Sequence, residues 1–125
     1  AVYEDLLATS KKGSVIYRYE STKDYKKSKK YYPPLYFKRV GGKTSEIERF
    51  VITNEKTHAA RSAQLERMEK VVPVEYDPFE YDISQLIYGN KVAFIDFNTE
   101  TASIIESAPF ATFQRQIFKL LFEKL

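Results

Sequence analysis

Two hydrophobic periods divide the chain, one near 3.6 residues and one of 2. Val2 to Lys12 predicts a short helix that stops before Gly13, a residue suited to a left-handed cap. Ser14 to Glu20 is β-branched and aromatic, which predicts a strand. Ser21 or Thr22 caps a Lys-rich helix reaching about Tyr31, and Pro33-Pro34 interrupts it. Leu35 to Val40 predicts a second helical piece, stopped by Gly41-Gly42. Glu46 to Thr53 begins with alternation and ends in a continuous apolar run, the pattern of a strand buried on both faces. Asn54 caps a predicted helix over Glu55 to Glu69, whose thin apolar face places it on the surface. Lys70 to Tyr76 predicts a third strand, at an edge or with a bulge because of Pro73.

The last third has the clearest pattern. Ile83 to Tyr88, Lys91 to Phe97 and Thr101 to Glu106 predict three strands, joined by the Gly89-Asn90 hairpin signal and by Asn98-Thr99-Glu100. Ser107 caps a final helix with Pro109 in its first turn, and Phe110, Phe113, Ile117, Leu120, Leu121 and Leu125 recur along it at helical spacing. Alternating helices and strands followed by an antiparallel meander predict an α/β fold: one domain over residues 1–125, a mixed β-sheet covered by helices. The final helix carries more apolar surface than one small sheet covers, so Phe110, Phe113, Ile117 and Leu121 are candidates for a dimer interface, with the N-terminal helix as a second candidate; sealing the core is the alternative use of the final helix.

Composition narrows the chemistry. The 125 residues contain no Cys, which excludes a disulfide framework and a cysteine nucleophile and fits a reducing, cytoplasmic location. No apolar run approaches the ~20 residues of a membrane span, and no membrane partner or cofactor is expected. Charge is unevenly spread. Between Lys11 and Thr44 there are eleven Lys/Arg against two acids, whereas Ser45 to Leu125 holds nine basic and thirteen acidic residues. Lys23, Lys26, Lys27, Lys29, Lys30 and Lys38 interleave with Tyr25, Tyr31, Tyr32, Tyr36 and Phe37. Lysines beside aromatics are the parts of a nucleic-acid surface; a solvated helix with inward tyrosines uses the same parts. The one histidine, His58, has no local partner for catalysis and too few companions for zinc. Glu75, Asp77, Glu80 and Asp82 lack the spacing of a calcium loop and read as a solvated turn. Gly41-Gly42-Lys43-Thr44 lacks the upstream glycine of a phosphate-binding loop.

Several strings carry a family resemblance. Ile87-Tyr88-Gly89-Asn90-Lys91-Val92-Ala93-Phe94-Ile95, then Ile104-Ile105-Glu106-Ser107, then the helix Phe113 to Phe122 form one pattern. Upstream, Tyr36-Phe37-Lys38-Arg39-Val40 and Ile47 to Ile52 extend it. Together they resemble the C-terminal domain of TrmB-family transcription regulators, with Phe122 where that family commonly has Trp. The resemblance implies a phospholipase-D-like half-fold. It also implies a small-molecule effector, a sugar or another metabolite, and a homodimer that contacts DNA through an upstream winged helix-turn-helix; residues 1–12 would then be the linker helix. The enzymes of that fold carry His-x-Lys-x4-Asp. Here Ala60 and Leu65 stand at the Lys and Asp positions after His58, so the resemblance implies no catalysis. Ligands in open α/β sheets sit beyond the carboxyl ends of parallel strands, which makes Glu20, Ser21, Asn54 and Glu55 candidate ligand residues with Arg39 nearby. Ser21 and Asn54 suit helix caps better than ligand contacts.

Overall fold

A computed structural model describes residues 2–21, 27–40, 46–54, 68–76 and 82–125. The elements are α1 (Val2–Thr9), β1 (Val15–Tyr19), a 3₁₀ turn (Ser28–Tyr31), α2 (Tyr36–Arg39), β2 (Glu48–Thr53), β3 (Met68–Val71), β4 (Ile83–Tyr88), β5 (Lys91–Asp96), β6 (Thr101–Glu106) and α3 (Ala108–Lys124). The strands form one mixed sheet in the order β3-β2-β1-β4-β5-β6. β1 is parallel to β2 and β2 to β3, whereas β4, β5 and β6 each run antiparallel to the preceding strand in that order. The α/β class and the mixed sheet are therefore as the pattern predicts.

Local chemistry sets the boundaries. Gly13 takes a φ of 90° where the chain leaves α1, and Ser14 Oγ accepts from the Lys11 N–H at 3.0 Å. Gly89 takes a φ of 57° at the first central position of the β4–β5 hairpin, as a type II′ turn requires. Ser107 Oγ accepts from the Phe110 N–H at 3.3 Å with a proline in the first turn, so α3 starts on a capped end worth about 1 kcal/mol. Two expectations change. Ser28–Tyr31 is a 3₁₀ turn rather than the end of an α-helix, and the expected strand over Lys70 to Tyr76 is instead Met68–Val71. Met68 and Glu69 leave the predicted helix because pairing with Phe50 and Val51 of β2 outweighs their helix propensity. Residues 55–67 of that predicted helix lie outside the described residues.

The sheet has two different faces. Along β1, Ile16, Arg18 and Glu20 point to the face covered by α1 and α2. Val2, Tyr3, Leu6, Ile16, Tyr36, Val40, Leu86, Tyr88, Ala93 and Ile95 form the core there. Tyr17 and Tyr19 point to the opposite face, against α3. Phe118 is fully buried on that side, edge-on to Tyr17 at 5.2 Å and to Tyr19 at 5.0 Å, with Ala111 buried one face-repeat earlier. No helix among the described residues is long and apolar enough to cross a membrane.

Candidate functional site

The α1 face of the sheet holds polar groups where a purely apolar core would be simpler. Strand alternation puts Arg18 and Glu20 on the same side, and α1 with the 3₁₀ turn then covers them. Both are 1 % exposed, with Arg18 Nε 3.5 Å from Glu20 Oε2. Desolvating two charges costs several kcal/mol per ion unless hydrogen bonds compensate. Arg18 Nη2 donates to Tyr3 Oη at 2.6 Å and to Ser28 Oγ at 3.3 Å, and the two hydroxyls are 2.9 Å apart. Arg49 on β2 faces the same side, in register with Ile16, and is also buried. Burial, and secondarily the neighbouring Tyr32, pushes the Tyr36 phenol up to about 12, with Arg18 and Arg49 opposing the rise.

A cavity of about 190 Å³ opens beside this network, lined by Val2, Tyr3, Tyr31, Ile95, Phe97, Glu100, Thr101 and Ala102. It is slightly larger than the ~150 Å³ apolar cavity that takes up benzene. Tyr3 belongs to both structures: its ring lines the cavity and its hydroxyl is held by Arg18. The rim carries Glu100, paired with Lys30 at 3.6 Å, and Lys27 donates to the Phe97 carbonyl at 3.2 Å. The opposite face has a broader groove lined by Tyr17, Phe50, Lys70, Phe118, Lys119, Phe122 and Glu123. There Lys70 and Lys119 already stand over the Phe122 and Tyr17 rings.

The candidate residues fall into separate places. Glu20, Ser21 and Asn54 are together and buried at the carboxyl ends of β1 and β2; Glu20 donates its N–H to the Ile52 carbonyl, and Thr53 Oγ1 donates to the Glu20 carbonyl at 2.9 Å. Arg39 is not near them. Its guanidinium donates to the Leu7 and Ser10 carbonyls at 3.0 Å each and pairs with Glu46 at 3.6 Å. That holds the carboxyl end of α1 at the end of the sheet where β1 and β2 begin, because cations bind the unsatisfied carbonyls of a helix end. Glu55, Lys23, Lys26 and His58 lie outside the described residues. Lys27, Lys29 and Lys30 fall at the 3₁₀ turn and Lys38 is exposed on α2. Two of the interleaved rings are in the core: Tyr32 stacks on Tyr36 at 4.3 Å and meets Tyr3 edge-on at 4.6 Å.

The α3 candidates also divide. Phe110 and Leu121 pack against the sheet, whereas Phe113 and Ile117 are exposed together with Leu120. Apolar residues surround most of this helix, so periodicity alone assigns no single face. The sequence reading omitted Arg18 and Tyr3, although the Ile16-x-Arg18-x-Glu20 alternation had put two charges on one face of a strand flanked by apolar segments. No group of three or more His, Cys, Asp or Glu placed to hold a metal ion occurs among the described residues. No protein-family model, curated protein or solved structure matches the chain.

Proposed function

We propose that this is a catalytically inactive effector-sensing and dimerisation domain of a TrmB-like transcription regulator, built on a phospholipase-D-like half-fold and acting in the cytoplasm. The observation that carries the sensing reading is the shared position of Tyr3. A ligand in the 190 Å³ cavity would touch Val2 and Tyr3 on α1, and Tyr3 is tied through Arg18 to Glu20 at the end of β1. Occupancy is thereby coupled to the seating of α1, the helix that would lead to an upstream DNA-binding domain. The lining suits a small ring-bearing molecule: Tyr3, Tyr31 and Phe97 supply aromatic walls, and Glu100 and Thr101 supply polar groups at one side. Support for inactivity is the pair Ala60 and Leu65, at the positions where the enzymes of the fold carry Lys and Asp.

Thermal-shift screening of monosaccharides, disaccharides and small aromatic metabolites tests this reading. At least one compound should raise the melting temperature of the wild-type chain and leave Ala102→Phe, which fills the cavity from β6, unaffected. Identical responses from both proteins across the panel would sink it. For the nucleic-acid alternative, Tyr32 and Tyr36 pack in the core, Lys30 stays largely exposed in its pair with Glu100, and Lys23, Tyr25 and Lys26 lie outside the described residues.

A further inference from the structure

The two edges of the sheet are built differently. β3 is four residues long, carries Glu69 and Lys70, and is followed by Pro73, all features that discourage strand addition. β6 has none of them. It spans six residues with no charge before Glu106, no proline and no bulge in its pairing with β5. All six residues are exposed, including Ile104 at 40 % and Ile105 at 41 %.

The hydrogen-bond phase of that free edge follows from the hairpins. Ser107 donates its N–H to the Asn90 carbonyl at 2.9 Å, one step beyond the Lys91↔Glu106 pair. Hydrogen-bonded and non-hydrogen-bonded pairs alternate in an antiparallel ladder. Thr101, Ser103 and Ile105 therefore direct their backbone groups to β5, and Ala102, Ile104 and Glu106 direct theirs outward.

We propose that β6 pairs antiparallel with β6 of a second copy about a two-fold axis at Ile104, joining two six-stranded sheets into one. A two-fold axis normal to the sheet keeps each face continuous, so residues of equal parity must oppose each other, and the axis falls on a residue rather than between two. Centring on Ile104 sets it against its own copy and sets Ala102 against Glu106, forming about six new backbone hydrogen bonds. Centring on Ser103 instead opposes Glu106 to Glu100 of the second copy, a like-charge contact that disfavours that register. The Ile104-centred register leaves Glu106 facing an alanine and covers the apolar edge. This inference deepens the dimerisation half of the proposed function, and it places the interface on β6 rather than on the α3 candidates. Because Thr101 and Ala102 also line the cavity, the second copy would brace one cavity wall.

Sedimentation velocity from micromolar to millimolar concentration provides the test, with circular dichroism to confirm folding. The wild-type chain should reach a dimer, Ile104→Lys should remain monomeric, and Leu120→Lys, on the exposed side of α3, should still dimerise. The absence of cysteine allows a second readout that does not depend on a disruptive substitution. Under oxidation Ile104→Cys should form a disulfide-linked dimer, since paired Cα atoms lie ~5.5 Å apart in such a ladder. Ile83→Cys, at a still more exposed position on β4, should not. A monomer at every concentration overturns both this inference and the dimerisation half of the proposed function. A dimer broken by Leu120→Lys but not by Ile104→Lys overturns the β6 interface alone.

Discussion

Removing one oxygen atom should have opposite effects at two tyrosines that share the same ring cluster. Tyr3 and Tyr36 are both buried and their rings meet edge-on at 5.5 Å. The Tyr3 hydroxyl accepts from the Arg18 guanidinium at 2.6 Å and is bonded to Ser28, so Tyr3→Phe leaves a buried cation short of an acceptor. Hydrogen bonds to charged groups contribute ~1.5–3 kcal/mol, and a loss of about 2 kcal/mol is expected. For a domain of this length the unfolding entropy is roughly 0.26 kcal/mol/K, so the melting temperature should fall by about 8 °C. The Tyr36 hydroxyl is buried without a hydrogen-bond partner among the described residues. Tyr36→Phe removes a desolvated group and forfeits no bond, so stability should be unchanged or rise by up to about 1 kcal/mol. Urea unfolding followed by far-ultraviolet circular dichroism measures both variants under one linear extrapolation. Equal losses from the two substitutions would refute the reasoning, because they would show that burial of the ring, and not the bonding of its oxygen, sets the energy.

Alkaline unfolding gives an independent check on Tyr36: its folded value, raised to about 12, lies above the ordinary 10.0, so its contribution is intact below pH 10 and is lost as pH rises toward 12. The stability–pH curve of Tyr36→Phe should therefore be flatter than wild type in that window, as measured by denaturant titration at fixed pH. At the acid end, burial raises the Asp5 carboxyl, but hydrogen bonds from Lys91 at 3.0 Å and Tyr88 at 2.8 Å outweigh it and hold the group below 3.8. Asp5→Asn should cost about 1 kcal/mol at pH 7, with the difference from wild type disappearing as pH falls through the folded-state value below 3.8. Phe118→Ala, at a fully buried position, should cost ~3–5 kcal/mol. Phe113→Ala, at a position 57 % exposed, should cost under ~1 kcal/mol; similar losses in thermal melts would mean that α3 presents a different side to the sheet.

The legible parts of the fold are those where a local rule and the tertiary environment agree. The β4–β5–β6 meander could be read because alternation, the Gly89 turn and the Ser107 cap all act within a few residues. For β3 the strand was legible but not its bounds: the pattern places it at Lys70 to Tyr76, whereas Met68 and Glu69, read as the end of a helix, join it through their register with β2. The α3 faces were hidden: Phe113, Ile117 and Leu120 satisfy helical spacing as well as Phe110, Ala111 and Phe118 do, and the sheet packs against only the second set. The carboxyl-end rule grouped Glu20, Ser21 and Asn54, which the fold does bring together, but none of them lines the cavity. It had no means of locating Tyr3, which approaches from another element, or of separating Arg39, whose distance from Glu20 follows from how α1 packs.

The asymmetry between the two sheet faces bears on why a buried ion pair occurs here at all. The α3 face is sealed by interlocking rings, Tyr17, Phe50, Phe118 and Phe122, which tolerate displacement poorly because close-packed apolar contacts are lost with small shifts. The α1 face also buries Val2, Tyr3 and Leu6 of its cover, and adds directional bonds to that packing: Arg18 to Tyr3, Lys91 and Tyr88 to Asp5, Arg39 to the end of the helix. Replacing a buried pair such as Arg18 and Glu20 with apolar residues of similar volume is often neutral or stabilising, so stability alone gives little reason to have one there. Directional bonds have discrete alternatives, and on the sensing proposal a group in the adjacent cavity would meet the ring of Tyr3, whose hydroxyl makes one of them. On that proposal one end of α1 would shift while the α3 side keeps the sheet intact. That difference, an aromatic seal on one face and an apolar core with added polar bonds to α1 on the other, is the physical basis on which the sensing proposal stands.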